Sequence, residues 1–418
     1  MTHRPLRVLL DARMLVGRFS GIARMVTSLV DELAQRDDVR VIVLCGNDEH
    51  SPWTHRDDVE VAPSSFGRKD RSPSRRLWWE ETRLRALIRR SSADVFHATW
   101  NSGIPFACPV PSVLTIHDLI PWDKPGEYFA LRRDRWAYRA GVQWSARRAA
   151  AITTVSAFTR GQLLDRLGVA GDRVLVVSNG VTPPGGGSSS SHDQSDGGAR
   201  PSLPGGTNAE GSPPPEFVLY VGGHEPRKNV SGLLRAMLEY WRAFDPRLEL
   251  WLTGRKDALC PAAKEVMQTL PQNAPVRFLD ALSESDLVRA YRRAEALMLL
   301  STDEGFGLPI VEAMSHGCPV IAANRAALPE VVGEAGVLVD PDQPAEAARA
   351  LHRICADQNC RKRLAGLGLL RASRFTWEAA AGAIVEVYRG VVAQSVPLSA
   401  SRKPHWAGDS AGQVSVAR

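Results

Sequence analysis

No apolar run in this chain exceeds the length of a β-strand, so no membrane-spanning helix is expected. The opening MTHRPLRVLLDAR has neither an apolar leader core nor a small-residue cleavage site, and a cytoplasmic protein is the expectation. Cysteine is sparse. Cys45, Cys108, Cys260, Cys318, Cys355 and Cys360 are scattered with no CxxC pair, which argues against a disulfide framework or a zinc site and for reduced thiols. Neither GxxxxGK[ST] nor GxGxxG occurs where a phosphate loop would need it. Charge of one sign is only mildly in excess, at +6, and no nucleic-acid-binding module accompanies it, so nucleic acid is not an expected partner.

What excess there is lies in two places. Residues 68–90 hold nine Lys or Arg against three acids, with Trp78 and Trp79 among them, and Leu131 to Arg148 reads LRRDRWAYRAGVQWSARR. Basic helices with tryptophans can dock on anionic lipid. The plainer reading is two solvated helix faces whose aromatics turn inward.

With 418 residues there is room for two full cores. Pro183 to Pro215 is about two-thirds Gly, Ser and Pro and is expected to be a mobile linker, because it has little apolar surface to offset its ordering entropy. On either side, β-rich runs alternate with helical patterns. RVLLDA, VRVIVLC, DVFHA, SVLTIH, AITTV and RVLVVS come first; FVLYVG, LELWLTG, VRFLD, ALMLLS, PVIAA and GVLVD follow. That alternation predicts an α/β protein of two Rossmann-like, doubly wound domains facing across a cleft: residues 1–182, the linker, then 216–394 ending in a helix over about 375–393, with 395–418 a frayed tail. Ligands bind beyond the carboxyl ends of such strands. His97, His117, Gly222-Gly223, Thr253-Gly254 and Ser301 to Gly307 all follow or end strands.

Two segments carry chemistry. In STDEGFGLPIVEAMSHGCPVI, Pro309 suits a helix start and Gly317 a left-handed stop, so a short helix over about 309–316 is predicted, with Glu304 on the loop and Glu312 in the first turn. Loop amides at a helix N-terminus suit a phosphate, and carboxylates suit vicinal hydroxyls. In YVGGHEPRKN, two glycines let the backbone approach a ligand, and Arg227 and Lys228 offer adjacent charges to a diphosphate. Ser283 to Asp286 reads as a capping box. Asp340-Pro-Asp342 spells a metal motif but sits at a proline turn, where a structural role is expected.

The stretch EGFGLPIVEAMSHGCPVIAANRAALPEVVGEAGVLVDP resembles the nucleotide-binding signature of glycosyltransferase family 4, with its Glu-x7-Glu pattern at Glu304 and Glu312. YVGGHEPRKN resembles the diphosphate segment of that family's EPRKN-type mannosyltransferases and rhamnosyltransferases, and LLDARMLVGRFSGIARMV, VLTIHDLIP, ITTVSAFTRGQLLDRLGV and VLVVSNGV follow in order. The resemblance implies a GT-B fold and retaining transfer of a hexose from a nucleoside-diphosphate sugar, GDP-mannose first, to a glycan or lipid-linked glycan, with no cofactor or metal required. It implies His117 and Glu304 at the reacting sugar, Glu312 on the ribose, and Arg227 and Lys228 on the diphosphate beside Gly222 and Gly223. Phe306, Gly307 and Leu308 would stand beside the donor, Gly17 to Gly21 would line it from the first domain, and the backbone to Leu282 would contact the base. Gly223 stands where many members carry arginine, and Ser178 where proline is usual. A nucleotide-sugar epimerase and a catalytically silent nucleotide-sugar-binding subunit are the alternatives. Peripheral contact with the inner face of the membrane through 68–90 is a further expectation.

Overall fold

The computed structural model describes residues 4–13, 21–46, 53, 56–67, 73–182, 215–280 and 282–395. Gly17 to Ser20, residues 68–72, nearly all of the expected linker and the tail beyond 395 lie outside the described residues.

Two parallel sheets organise the chain. The first contains β1 (Leu6–Asp11), β2 (Val39–Cys45), β3 (Glu60–Pro63), β4 (Val95–Ala98), β5 (Ser112–Ile116), β6 (Ala151–Thr154) and β7 (Val174–Val176), in the order β3-β2-β1-β4-β5-β6-β7. The second contains β8 (Phe217–Tyr220), β9 (Glu249–Thr253), β10 (Val276–Leu279), β11 (Ala296–Leu299), β12 (Val320–Ala323) and β13 (Val337–Val339), in the order β10-β9-β8-β11-β12-β13. Most central strands are buried along their whole length, as expected where helices cover both faces. The first sheet has one strand more than the six expected. β3 is a short edge strand, EVAP, half-exposed and closed by proline, and so lacks the apolar run that marks its neighbours.

Strand order reverses between β1 and β4 in one sheet and between β8 and β11 in the other. Diverging crossover connections leave a crevice at such a point. In the second sheet the loops leaving β8 and β11 are therefore neighbours, and the Thr302 amide donates to the Arg227 carbonyl at 2.8 Å.

The last helix, Trp377–Ser395, packs on the first half: against helix Gly21–Ala34 and against β4 and β5. The chain enters it beside Val181, whose amide donates to the Phe375 carbonyl at 2.9 Å. Tyr388 lies 2.6 Å from His97 Nδ1, and His97 Nε2 lies 2.7 Å from Thr115 Oγ1. His97 is thus a structural anchor, fully buried, with its pKa pushed down to about 3 by burial and the nearby His117.

The basic stretch after residue 73 divides between core and surface. Helix Pro73–Trp79 runs into a π-helical turn, Glu80–Leu84, and then helix Arg85–Arg90. Trp79 and Glu80 turn inward to Arg13, whose guanidinium is bound to Asp11 at 2.6 and 2.7 Å, lies 3.5 Å from Glu80, and is flanked by the Trp79 and Phe66 rings. Trp78 (63% exposed) and Trp136 (75%) point to solvent. The expectation that the aromatics turn inward holds for Trp79 and fails for these two.

Candidate active site

At the end of β11, Ser301 to Gly307 lead into a helix spanning Leu308–Ser315. Gly307, at φ 101°, occupies the cap position in a left-handed conformation that a side chain would resist, and Gly317 at φ 70° follows the end. This cap starts the helix one residue before Pro309. Glu312 is consequently its fifth residue, in the second turn and not the first, and there are no acids in the first turn. A dipole-complementing role for Glu312 is thereby removed. Its carboxylate is buried, accepts from the Tyr291 hydroxyl at 2.8 Å on Oε2, and is ion-paired with Arg24 through Oε1.

Glu304 is buried as well. Lys228 Nζ donates to its Oε1 at 2.6 Å and Arg227 Nη1 to its Oε2 at 3.2 Å; Arg227 also reaches the Asp303 carbonyl at 3.2 Å. Burial alone would push the Glu304 carboxyl up, but Lys228 and Arg227 outweigh it and hold it below the ordinary 4.5. Both cations come from a 3-10 turn, Pro226–Lys228, fixed by Asn229, whose side chain caps helix Val230–Ala243 by accepting from the Gly232 amide at 3.0 Å. Upstream, the Gly222 amide donates to Thr253 Oγ1 at 3.0 Å and the Gly223 carbonyl accepts from the Tyr220 hydroxyl, so the turn leaving β8 is held from beneath.

Across the cleft, His117 ends the run after β5. Its Nε2 lies 2.8 Å from the Thr99 carbonyl, and burial lowers its pKa to about 4. The imidazole is therefore neutral near pH 7, with Nε2–H the donor to that carbonyl and Nδ1 left as an acceptor. Gly305 abuts this strand end so closely that a Cβ there would overlap the His117 carbonyl oxygen and lie 3.2 Å from Asp118 Cβ. Gly21, the first described residue of helix Gly21–Ala34, faces Leu308: an added Cβ would be 3.4 Å from Leu308 Cδ1.

The residues expected at the site do converge. Gly222, Gly223, Arg227, Lys228 and Glu304 share one switch point, His117 meets it through Gly305, and Gly21 meets it through Leu308. Phe306 contributes only its backbone there, because its ring is buried edge-on to Phe375 at 5.6 Å. Leu282 precedes helix Glu284–Arg293, where Ser283 caps by accepting from the Asp286 amide at 3.0 Å. Asp340 and Asp342 pair with Arg325 at 3.2 and 2.6 Å, which is the structural role expected of them. Four residues went unforeseen: Arg24, Tyr291, Asp118 and Lys124, the last paired with Asp303 across the cleft. Arg24 alone had a usable signal, since it lies one helical turn beyond Gly21 and shares its face.

Two Rossmann-like parallel sheets meeting at a cleft with this constellation define the GT-B class of glycosyltransferase. The model for "Glycosyl transferases group 1" matches residues 208–366 and that for "Glycosyltransferase Family 4" matches residues 19–183. O-antigen chain mannosyltransferase B of Escherichia coli is 30% identical over 278 residues, which is 66% of this chain and 70% of that protein. A D-inositol 3-phosphate glycosyltransferase of Streptomyces bingchenggensis (strain BCW-1) is 35% identical over 189 residues, 43% of this chain and 41% of that protein. Among solved structures, Anabaena Alr3699/HepE in complex with UDP and glucose superposes with a TM-score of 0.65 at 19% identity, covering 92% of this chain and 99% of that one, a likeness of fold. The chain belongs to the group 1, family 4 glycosyltransferases, and is a transferase.

Proposed function

We propose that this glycosyltransferase moves a hexose, mannose from GDP-mannose first among candidates, from a nucleoside diphosphate to a hydroxyl of a glycan or lipid-linked glycan, with retention at the anomeric carbon. The observation that carries the reading is the buried Glu304 carboxylate clamped by Arg227 and Lys228 at the β8/β11 switch point. Those two cations stand where a diphosphate would arrive between the glycine turn and the cleft, and they would offset the charge that develops on it as the glycosidic bond breaks. Glu304 then faces the sugar hydroxyls, and Glu312, oriented by Tyr291, takes those of the ribose. The similarity to an O-antigen chain mannosyltransferase supports the sugar and acceptor class, and the Anabaena protein of the same fold in complex with UDP and glucose supports a nucleotide ligand.

The acceptor side favours neutral hydroxyls. The cavity beside Glu304 is lined by Asp118, Asp123, Asp303 and Gln162, and its lysine, Lys124, is already paired with Asp303. A phosphorylated acceptor would meet carboxylates there, whereas sugar hydroxyls would find acceptors.

Calorimetric titration with UDP, GDP, ADP and dTDP is the direct test. One nucleotide is expected to bind best, GDP on this reading, and Glu312→Ala to weaken it about a hundredfold or more, since two hydrogen bonds to a charged acceptor are lost. Absence of binding by every nucleotide would overturn the donor-site reading, and binding without transfer would favour the silent-subunit alternative. Product from the active enzyme should keep the donor's anomeric configuration, read from its NMR coupling.

Membrane contact is part of the proposal. Among the described residues no helix is long and apolar enough to cross a membrane. Trp78 and Leu77 on one helix and Trp136 on helix Arg132–Arg148, which packs against it, are exposed among Arg75, Arg132 and Arg133. The chain is expected to co-sediment with vesicles containing anionic lipid at low salt, and a Trp78→Ala/Trp136→Ala double variant to lose most of that binding. Equal sedimentation of both proteins would remove the tryptophans from the account.

A further inference from the structure

Both oxygens of the Glu312 carboxylate have partners within the protein. Tyr291, itself buried, holds Oε2 at 2.8 Å, and the Arg24 guanidinium holds Oε1. Arg24 belongs to the opposite half of the molecule, three residues into the helix whose first residue, Gly21, faces Leu308 at the N-terminus of the Glu312 helix. Among the described residues, the groups that act most on Arg24 besides Glu312 are Glu284 and Tyr291, both from the second half. A ribose whose hydroxyls donate to both Glu312 oxygens would come within about 3 Å of Oε1, the atom to which Arg24 already donates.

We propose that Arg24 is a stand-in for the donor's ribose: a positioning residue that latches the empty cleft onto Glu312 and has to withdraw for the nucleotide to bind. The proposal rests on the assignment of the ribose to Glu312. Its consequence is selective. A nucleoside diphosphate competes with the latch through its ribose, whereas inorganic pyrophosphate needs only the Arg227 and Lys228 region and does not compete. The exchange also keeps the carboxylate from being left without a partner in a buried setting, which would be costly. The latch therefore raises the threshold for donor entry without leaving an unpaired charge in the resting protein.

Titration of UDP, GDP and inorganic pyrophosphate into the full chain, Arg24→Met and Arg24→Lys tests this. The Arg24 side chain is 37% exposed, and methionine keeps most of its aliphatic reach, so both variants should fold, as an unchanged circular dichroism spectrum would verify. The better-bound nucleotide is expected to gain roughly fivefold in affinity for Arg24→Met, the scale of a partly exposed ion pair. Arg24→Lys should fall between, since lysine pairs without arginine's fork. Pyrophosphate should bind all three proteins alike. Weaker nucleotide binding by Arg24→Met would overturn the proposal and make Arg24 a donor ligand. Equal nucleotide affinities, or equal gains for nucleotide and pyrophosphate, would overturn it too, because the latch would then not compete with ribose. Nucleotide binding by wild type that Glu312→Ala leaves untouched would instead overturn the ribose assignment beneath it.

Discussion

Glu304→Gln is expected to lower turnover at least about a hundredfold while changing nucleotide affinity only severalfold, the scale seen when one electrostatic contact to a transition state is lost. Glutamine keeps the shape and one acceptor but removes the charge. Lys228 and Arg227, 12% and 18% exposed, would then face each other with no counter-ion from Glu304. Breaking a pair with this much burial costs about 2 kcal/mol, less than a fully buried pair because some solvent reaches it. A fall in melting temperature of about 5 °C follows for a domain of this size. Nucleoside diphosphate supplies negative charge to the same cations, so saturating GDP or UDP should raise the melting temperature of the variant more than that of wild type.

The pH dependence has a definite sign. The folded Glu304 carboxyl lies below its ordinary 4.5, so its contribution to stability is present above that value and is lost as pH falls through the folded pKa. Wild type and Glu304→Gln should thus differ in melting temperature at neutral pH and converge under strong acid. Turnover in Glu304→Gln comparable to wild type would remove Glu304 from the chemistry.

Gly305→Ala is expected to slow transfer about a hundredfold yet leave both halves folded. The added methyl would overlap the His117 carbonyl oxygen, which is backbone and cannot rotate away. Relief requires the two sheets to separate at this edge, because each is packed within its own half. Separation by even 1 Å breaks the alignment of reacting groups, and such misplacement costs about a hundredfold in rate. On the proposed reading, nucleotide binding draws on Arg227, Lys228 and Glu312 of the second half, and it should persist. Small-angle scattering should show a larger radius of gyration for the variant with nucleotide bound. A fully active Gly305→Ala enzyme of unchanged dimensions would show that the approach seen here is not needed for catalysis.

Local physics made most of this molecule legible. The four inner strands of the second sheet were readable because buried parallel strands appear as continuous apolar runs such as ALML and VIAA, and the edge strands VRFL and VLV, though only partly buried, keep enough apolar residues to show. β3 escaped because an edge strand needs no such run, and the π-helical turn at Glu80–Leu84 has no local sequence signal and is seen only through the buried Arg13 it serves. Glu304, Glu312, Arg227 and Lys228 were singled out from spacing and resemblance. That Arg227 and Lys228 clasp Glu304 was not, for the β8 and β11 loops are 76 residues or more apart in sequence and become neighbours only through strand order. The same holds for Arg24 on Glu312, 288 residues away. Helix start was misjudged by one residue at Pro309 because Gly307 took the cap, and that single step moved Glu312 out of the first turn.

The return of helix Trp377–Ser395 to the first sheet bears on how such enzymes can be recombined. Sequence order assigns that helix to the second half, but Tyr388 on His97 and Arg389 on Asp38 bind it to the first. A chimera that takes everything after the second sheet's first strand from another parent would carry a foreign helix into the first half's core and leave His97 facing whatever that parent has in place of Tyr388. The natural cassette for exchanging the second half runs from β8 to the turn before Trp377, and its final helix stays with the recipient.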